Sequence, residues 1–272
     1  MTILEAIILG IIQGITEFLP ISSDGHLMIA SVLMGITLEK KLLFDAVLHM
    51  ATTLSIIVVF WKDIVTIVRD LFKFQWNENT KLSMLILVSM IPAGFAGILL
   101  KHQIEGLQQA TIPNLILTGA MLILSGVFLW LSTRIKAGEG ELNPLKAFII
   151  GVFQAAAMLP GLSRSGSTIS ASLALGVEKV QTTRFVFLMV IPVILGGTLL
   201  ELKDFLEPAA VGAPSANAVG VPQLIVGFIT SFVFGLIACT WMVRLVKKAK
   251  LDYFAIYCFI VGALAIVWGL MK

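Results

Sequence analysis

Apolar residues in this chain come in long unbroken runs rather than in alternation. Six of them are long enough for a helix to cross a bilayer core, which takes about 20 residues at ~1.5 Å of rise each. They run from about Leu42 to Trp61, Leu82 to Leu100, Pro113 to Thr133, Thr182 to Leu200, Pro222 to Val246 and Tyr253 to Met271. Two further regions fail that test in the same way. Ile3 to Leu19 is interrupted by Gln13 and Glu17 and stopped by Pro20, and the Leu27 to Leu38 piece that follows covers half a membrane. Leu145 to Leu159 is ended by Pro160, and Ile169 to Val177 is again half length. Each region predicts a re-entrant hairpin, two half-helices meeting at a polar turn at membrane depth.

These two regions resemble each other. GIIQGITEFLPISSDG from Gly10 and GVFQAAAMLPGLSRSG from Gly151 share G-x-x-Q, then L-P with a one-residue slip, then a serine-rich turn closed by glycine. Three long spans follow each copy. The pattern predicts one membrane domain over 1–272, built from two repeats at 1–140 and 141–272, each a re-entrant helical hairpin plus three transmembrane helices. An odd number of full spans per repeat inverts the second relative to the first.

Composition agrees with the pattern: of 272 residues 58% are hydrophobic and 13% charged, with mean hydropathy +1.00. That excludes a soluble domain, and the long runs exclude a barrel of alternating strands, leaving an all-α polytopic membrane protein. The N-terminal MTILEAIILG has no basic region and carries Glu5, so it does not read as a cleaved signal. Cys239 and Cys258 lie in apolar runs and read as small buried hydrophobes. The net charge of +3 says little about partners. Membrane lipid is expected around the chain and no nucleic acid.

Charge placement orients the spans. If each hairpin returns to its own side, one face carries Lys40, Lys41, Lys101, Lys203 and Lys272, and the other carries 13 Lys and Arg, in the loops 62–81, 134–146, 178–184 and 244–250. The positive-inside rule puts the second face in the cytoplasm and both termini outside. Of 19 basic residues only Arg164 is left over, at the tip of the second hairpin.

Ionisable groups at membrane depth are costly and rare unless paired or lining a cavity. Inverted repeats would bring the two tips together, an acid-bearing one and an Arg-bearing one. Arg164 offers a planar fork for phosphoryl oxygens. Ser163, Ser165, Ser167 and Thr168 add hydroxyls, and Gly166 lets backbone approach closely at a helix start, where free N–H groups attract anions. On the other tip Gln13 and Glu17 share a helix face. Glu17 suits a general base or a divalent-cation ligand, and His26 a proton shuttle. Ser22 and Ser23 can attack phosphorus or only hold phosphate. The plainer alternatives are packing and interhelical bonding for the serines, a structural acid for Glu17 and a satisfied core histidine for His26. Asp45 and His49, four apart on the first full span, form either a second shell to such a site or a structural pair.

GIIQGITEFLPISSDGH and PGLSRSGST together resemble the two signature regions of the undecaprenyl-diphosphate phosphatase family, the bacitracin-resistance type of bacterial membranes. The first follows Glu or Gln, three residues, Glu, then F-L-P-x-S-S-x-G-H; the second follows P-G-x-S-R-S-x-x-T. The resemblance extends in length and hydropathy to the whole chain. It implies hydrolysis of undecaprenyl diphosphate to the monophosphate carrier of cell-wall precursors, in the bacterial plasma membrane, at a site open to the extracytoplasmic face. It implies dependence on Mg2+ or Ca2+, and matches Glu17, His26 and Arg164 to the family's functional residues, with Ser23 as nucleophile or phosphate ligand. Gln13 fills the Glu-or-Gln position. Asp24 stands where Thr or Ser is expected, an added negative charge that favours a cation on Glu17 and Asp24.

The expected function is thus a membrane phosphatase. The rival is a transporter or flippase of a phosphorylated polyprenyl lipid, since inverted repeats with paired tips also suit alternating access. A homodimer is left open.

Overall fold

A computed structural model describes residues 1–36, 41–73, 76–99, 111–135, 138–206, 219–248 and 251–271. Within them the chain is helical, with one isolated bridge pairing Gly140 and Val177. The helices are α1 (Ile3–Thr16), α2 (Ser23–Met34), α3 (Lys41–Val59), α4 (Trp61–Phe72), α5 (Glu78–Leu99), α6 (Thr111–Arg134), α7 (Pro144–Ala156), α8 (Arg164–Ala174), α9 (Lys179–Leu206), α10 (Val221–Lys248) and α11 (Asp252–Met271). Five are long and apolar enough to cross a membrane, and α3 with α4 makes a sixth candidate bent by 76°. The chain is a multi-pass membrane protein. The expected loop positions Lys40 and Lys101, and residues 207–218, lie outside the described residues.

The half-length pieces are helices of the expected kind. At ~1.5 Å per residue, the 14-residue α1 and 13-residue α7 reach about 20 Å, short of the ~30 Å of a bilayer core. Thr2 and Glu5 close a capping box on α1, and Asn143 caps α7 ahead of Pro144 at the first turn. Ser22 and Ser163 cap the second members, α2 and α8, each accepting from a glycine N–H three residues on. Each L-P turn is therefore followed at once by a new helix whose first N–H groups face the turn.

One expectation is corrected. Residues 62–81 were read as a cytoplasmic loop, but α4 occupies most of that stretch and α5 begins at Glu78. Lys62, Asp63, Arg69 and Asp70 break its apolar run, while Trp61, Val65, Val68 and Phe72 form an exposed stripe and Ile64 and Ile67 pack on the core. A short amphipathic helix turned 76° from its predecessor is the form that lies along a bilayer interface. Arg184 of α9 pins it, donating from Nε to Asp63 at 2.7 Å and from Nη2 to Asn79 of α5 at 2.8 Å.

Packing brings distant parts of the chain together. α6 lies along α11, α1 along α10, α5 along α7, and α3 against both α10 and α9. The α6–α11 seam is closest at Gly119 and Gly262, where a Cβ on either would sit 2.6 Å from the other's carbonyl oxygen. Backbone atoms cannot yield, so Gly262→Ala should force the helices apart. The expected cost is about 1–3 kcal/mol, as for other overpacked contacts. Thermal unfolding in detergent checks it against Gly94→Ala, whose Cβ meets nothing within 4 Å; equal unfolding temperatures for the two variants would refute the tight-seam account.

Candidate active site

The two proline turns meet. Gly25 of the first tip stands near Gly161 of the second, and a Cβ on Gly166 would lie 3.2 Å from the Pro20 carbonyl oxygen. Ser165 Oγ donates to the Leu19 carbonyl at 3.1 Å, Cys258 Sγ of α11 donates to the Pro20 carbonyl, and the Ser163 N–H donates to Ser125 Oγ of α6 at 2.9 Å. Gly161 needs its glycine: φ is +93° and a Cβ there would meet the Thr118 backbone at 2.6 Å.

Glu17 is the hub. Its side chain is 7% exposed, and its Oε2 accepts from Ser23 Oγ at 2.6 Å and from Gln13 Nε2 at 3.1 Å, while Oε1 faces Arg164 Nη1 at 3.9 Å. Two hydrogen-bond donors and a nearby guanidinium thus converge on this carboxylate. A 2.6 Å bond from a hydroxyl to a carboxylate is the arrangement in which the acid can take the proton as the oxygen attacks. Ser22 holds the geometry with φ at +67°, a strained value for a non-glycine residue.

A cleft between the tips is lined by Glu17, Ser22, Ser23, Asp24, Arg164 and Ser165. Its free volume is about 10 Å³, room for about one water, so a larger anion enters only as the Glu17 to Arg164 contact opens. Arg164 Nη1 is buried and has no hydrogen-bond partner, and neither does Gln13 Oε1. A free donor and a free acceptor thus flank the Glu17–Ser23 pair.

Several expected site residues sit elsewhere. Ser167 and Thr168 are buried on α8 and do not line the cleft; Thr168 Oγ1 donates to the Arg164 carbonyl. Ser163, by contrast, does line the cleft, and its Oγ caps α8 and lies 3.3 Å from Ser165 Oγ. His26, one turn into α2, turns to α11: Nδ1 lies 2.7 Å from the Ser22 carbonyl and Nε2 2.8 Å from Tyr257 Oη, with the rings stacked. Because a carbonyl only accepts, Nδ1 carries the proton and Tyr257 donates to Nε2. The imidazole near Glu17 is that of His49, whose Nε2 is 3.7 Å from Glu17 Oε2 and 3.4 Å from Asp24 Oδ1. Tyr257 carried no signal in the sequence, being one aromatic in an apolar span; His49 was marked only by its spacing from Asp45.

Comparison with known proteins points one way. A family sequence model described as "Bacitracin resistance protein BacA" matches residues 6–264. The chain is 48% identical over 271 residues to an "Undecaprenyl-diphosphatase" of Christiangramia forsetii, covering 99% of both. It is 48% identical over 264 residues to one of Bacteroides fragilis, covering 97% of both, and 37% identical over 283 residues to one of Methanosphaera stadtmanae, again covering 97% of both.

Proposed function

The chain belongs to the bacitracin resistance protein BacA family, and from that premise we propose how its site works. It is a membrane phosphatase that hydrolyses undecaprenyl diphosphate to undecaprenyl phosphate and inorganic phosphate. Arg164 and the first N–H groups of α8 receive the terminal phosphate, where the guanidinium fork neutralises charge that grows in the transition state. Ser23 Oγ gives its proton to Glu17 Oε2 and attacks the terminal phosphorus, the bridging P–O bond breaks, and the monophosphate lipid leaves. Water then cleaves the phosphoserine. The 2.6 Å bond from Ser23 to Glu17 carries this reading; a transporter needs the anion clamp but no base poised on a hydroxyl.

Glu17 and the unpaired Gln13 Oε1 are hard oxygen donors of the kind Mg2+ and Ca2+ take, while Asp24 Oδ1 faces His49 Nε2 at 3.4 Å. Among the described residues no three His, Cys, Asp or Glu side chains form a metal set, so phosphate oxygens and water would complete the shell. A bound cation supplies further charge neutralisation at the phosphate. Loss of release on chelation and its return with Mg2+ test this.

The lipid tail leaves through an apolar seam between α3 and α9, lined by Phe18, Ile56, Val186 and Phe187, which begins at Glu17 and Arg164. The two halves are inverted repeats with re-entrant hairpins. Helix pairings support this: exchanging the halves turns α1 on α10 into α7 on α5 and leaves α6 on α11 unchanged. The count of basic residues supports a topology with both termini outside, and exposed Trp61, Trp76, Trp130 and Trp241 lie toward the basic ends. A C-terminal reporter active only in the cytoplasm would overturn that topology.

The deciding experiment is phosphate release from undecaprenyl diphosphate by purified protein in detergent, where no compartments exist. No release from well-folded protein would favour transport. In the same assay Tyr257→Phe should lower kcat roughly tenfold or less, the range of a lost neutral hydrogen bond of about 1 kcal/mol, because His26 keeps its bond to Ser22. A loss as deep as that of Arg164→Ala would instead put Tyr257 in contact with the reacting phosphate.

A further inference from the structure

His49 reaches the site from α3, outside both signature stretches. Its Nε2 is shut off from solvent and makes no hydrogen bond, yet stands 3.4 Å from Asp24 Oδ1 and 3.7 Å from Glu17 Oε2. Both neighbours are carboxylates, so this nitrogen must carry its proton to face them favourably. The helix beneath it is firmly held: Thr52 and Thr53 Oγ1 both donate to the His49 carbonyl, at 2.9 and 2.8 Å, and Ser231 of α10 donates to the Leu48 carbonyl. His26 has no part in this, being bonded to Ser22 and Tyr257.

The electrostatic problem is Asp24. It lines the cleft beside Glu17, and two carboxylates there repel a diphosphate. A donor that faces both offsets that charge and fixes where both point. We propose that His49 is a positioning residue for the hydrolysis: its Nε2–H draws Asp24 toward α3 and off the phosphate path, and keeps Glu17 Oε2 turned to Ser23. Separations of 3.4 and 3.7 Å are of the long kind that catalytic groups commonly show before substrate is bound. This rests on the reading of Glu17 and Ser23 as the reacting pair.

The test is steady-state phosphate release by wild type, His49→Leu, His49→Gln, Asp24→Ser and the double variant His49→Leu/Asp24→Ser, each monodisperse in detergent with its unfolding temperature recorded. His49→Leu should lower kcat/KM by about 10- to 100-fold, the usual effect of removing a group that orients a charged ligand. His49→Gln, whose amide N–H can face the same carboxylates, should regain most of the loss. Asp24→Ser should restore activity to His49→Leu, because the charge needing the donor is gone. The proposal is overturned if His49→Leu matches wild type, if Gln serves no better than Leu, or if the two losses simply multiply in equally folded proteins. Absence of release from folded wild type would fell the phosphatase reading first, and this inference with it.

Discussion

Arg164→Ala is expected to cut phosphate release by about a thousandfold, and Arg164→Lys to recover little of it. A transferring phosphoryl group spreads charge over its oxygens, and removing a single preorganised donor from such a site costs about 10²- to 10³-fold. An arginine aimed at a transferring phosphoryl group can be worth ~10³-fold or more. Here the guanidinium projects from the first turn of α8, so its charge adds to the helix N-terminus. Nη1 is buried and unpartnered, held ready for an anion rather than spent on a structural bond. Lysine keeps the charge but presents one point where arginine presents a planar fork. Fold is not at stake, since the 3.9 Å contact to Glu17 is long and that carboxylate retains Ser23 and Gln13 as donors. Measured as kcat/KM on monodisperse protein, a loss smaller than tenfold would remove Arg164 from the phosphate clamp.

How much of this was legible in advance follows from what kind of interaction each element uses. The long spans were legible because lipid rewards one property, uninterrupted apolarity, which a sequence displays directly. So were the short helices and their breaks, where Pro20 and Pro160 end α1 and α7 and a capping serine starts the next helix. The contact of Glu17 with Arg164, 147 positions apart, was foreseeable only because the two turns resembled each other. α4 was missed because its charges read as loop, although it packs on α5 and sets Ile64 and Ile67 against the core. Tyr257 could not be read at all, and His49 only as one of two alternatives, a residue behind the site or a structural partner of Asp45. Each reaches the first tip from a different helix, so the contact depends on how α11 and α3 are rotated about their axes, and an almost wholly apolar span has no polar face to reveal that rotation. For the same reason His26 could be recognised as belonging to a motif without disclosing that it faces α11 rather than Glu17.

Ser23→Ala and Glu17→Gln should each lower release by about 10³- to 10⁴-fold, and the double variant should be no worse than either alone. Residues that act as one unit fail to add: once the nucleophile is gone, its base has nothing to activate, and the remaining rate comes from binding and charge stabilisation. Glu17→Gln keeps the shape and the bond with Ser23 but cannot take its proton, so it isolates the chemical step from packing. Covalent attack also predicts that substrate labelled in its terminal phosphate leaves label on Ser23 after rapid quench, and that Ser23→Ala takes none up. The opposite pattern is equally readable. If Ser23→Ala stays within about tenfold of wild type while Glu17→Gln does not, then a water sits where the serine hydroxyl was taken to attack, Glu17 activates it directly, and Ser23 only holds phosphate. The 2.6 Å bond favours the first outcome, because it already aligns the Ser23 hydroxyl on a carboxylate able to take its proton.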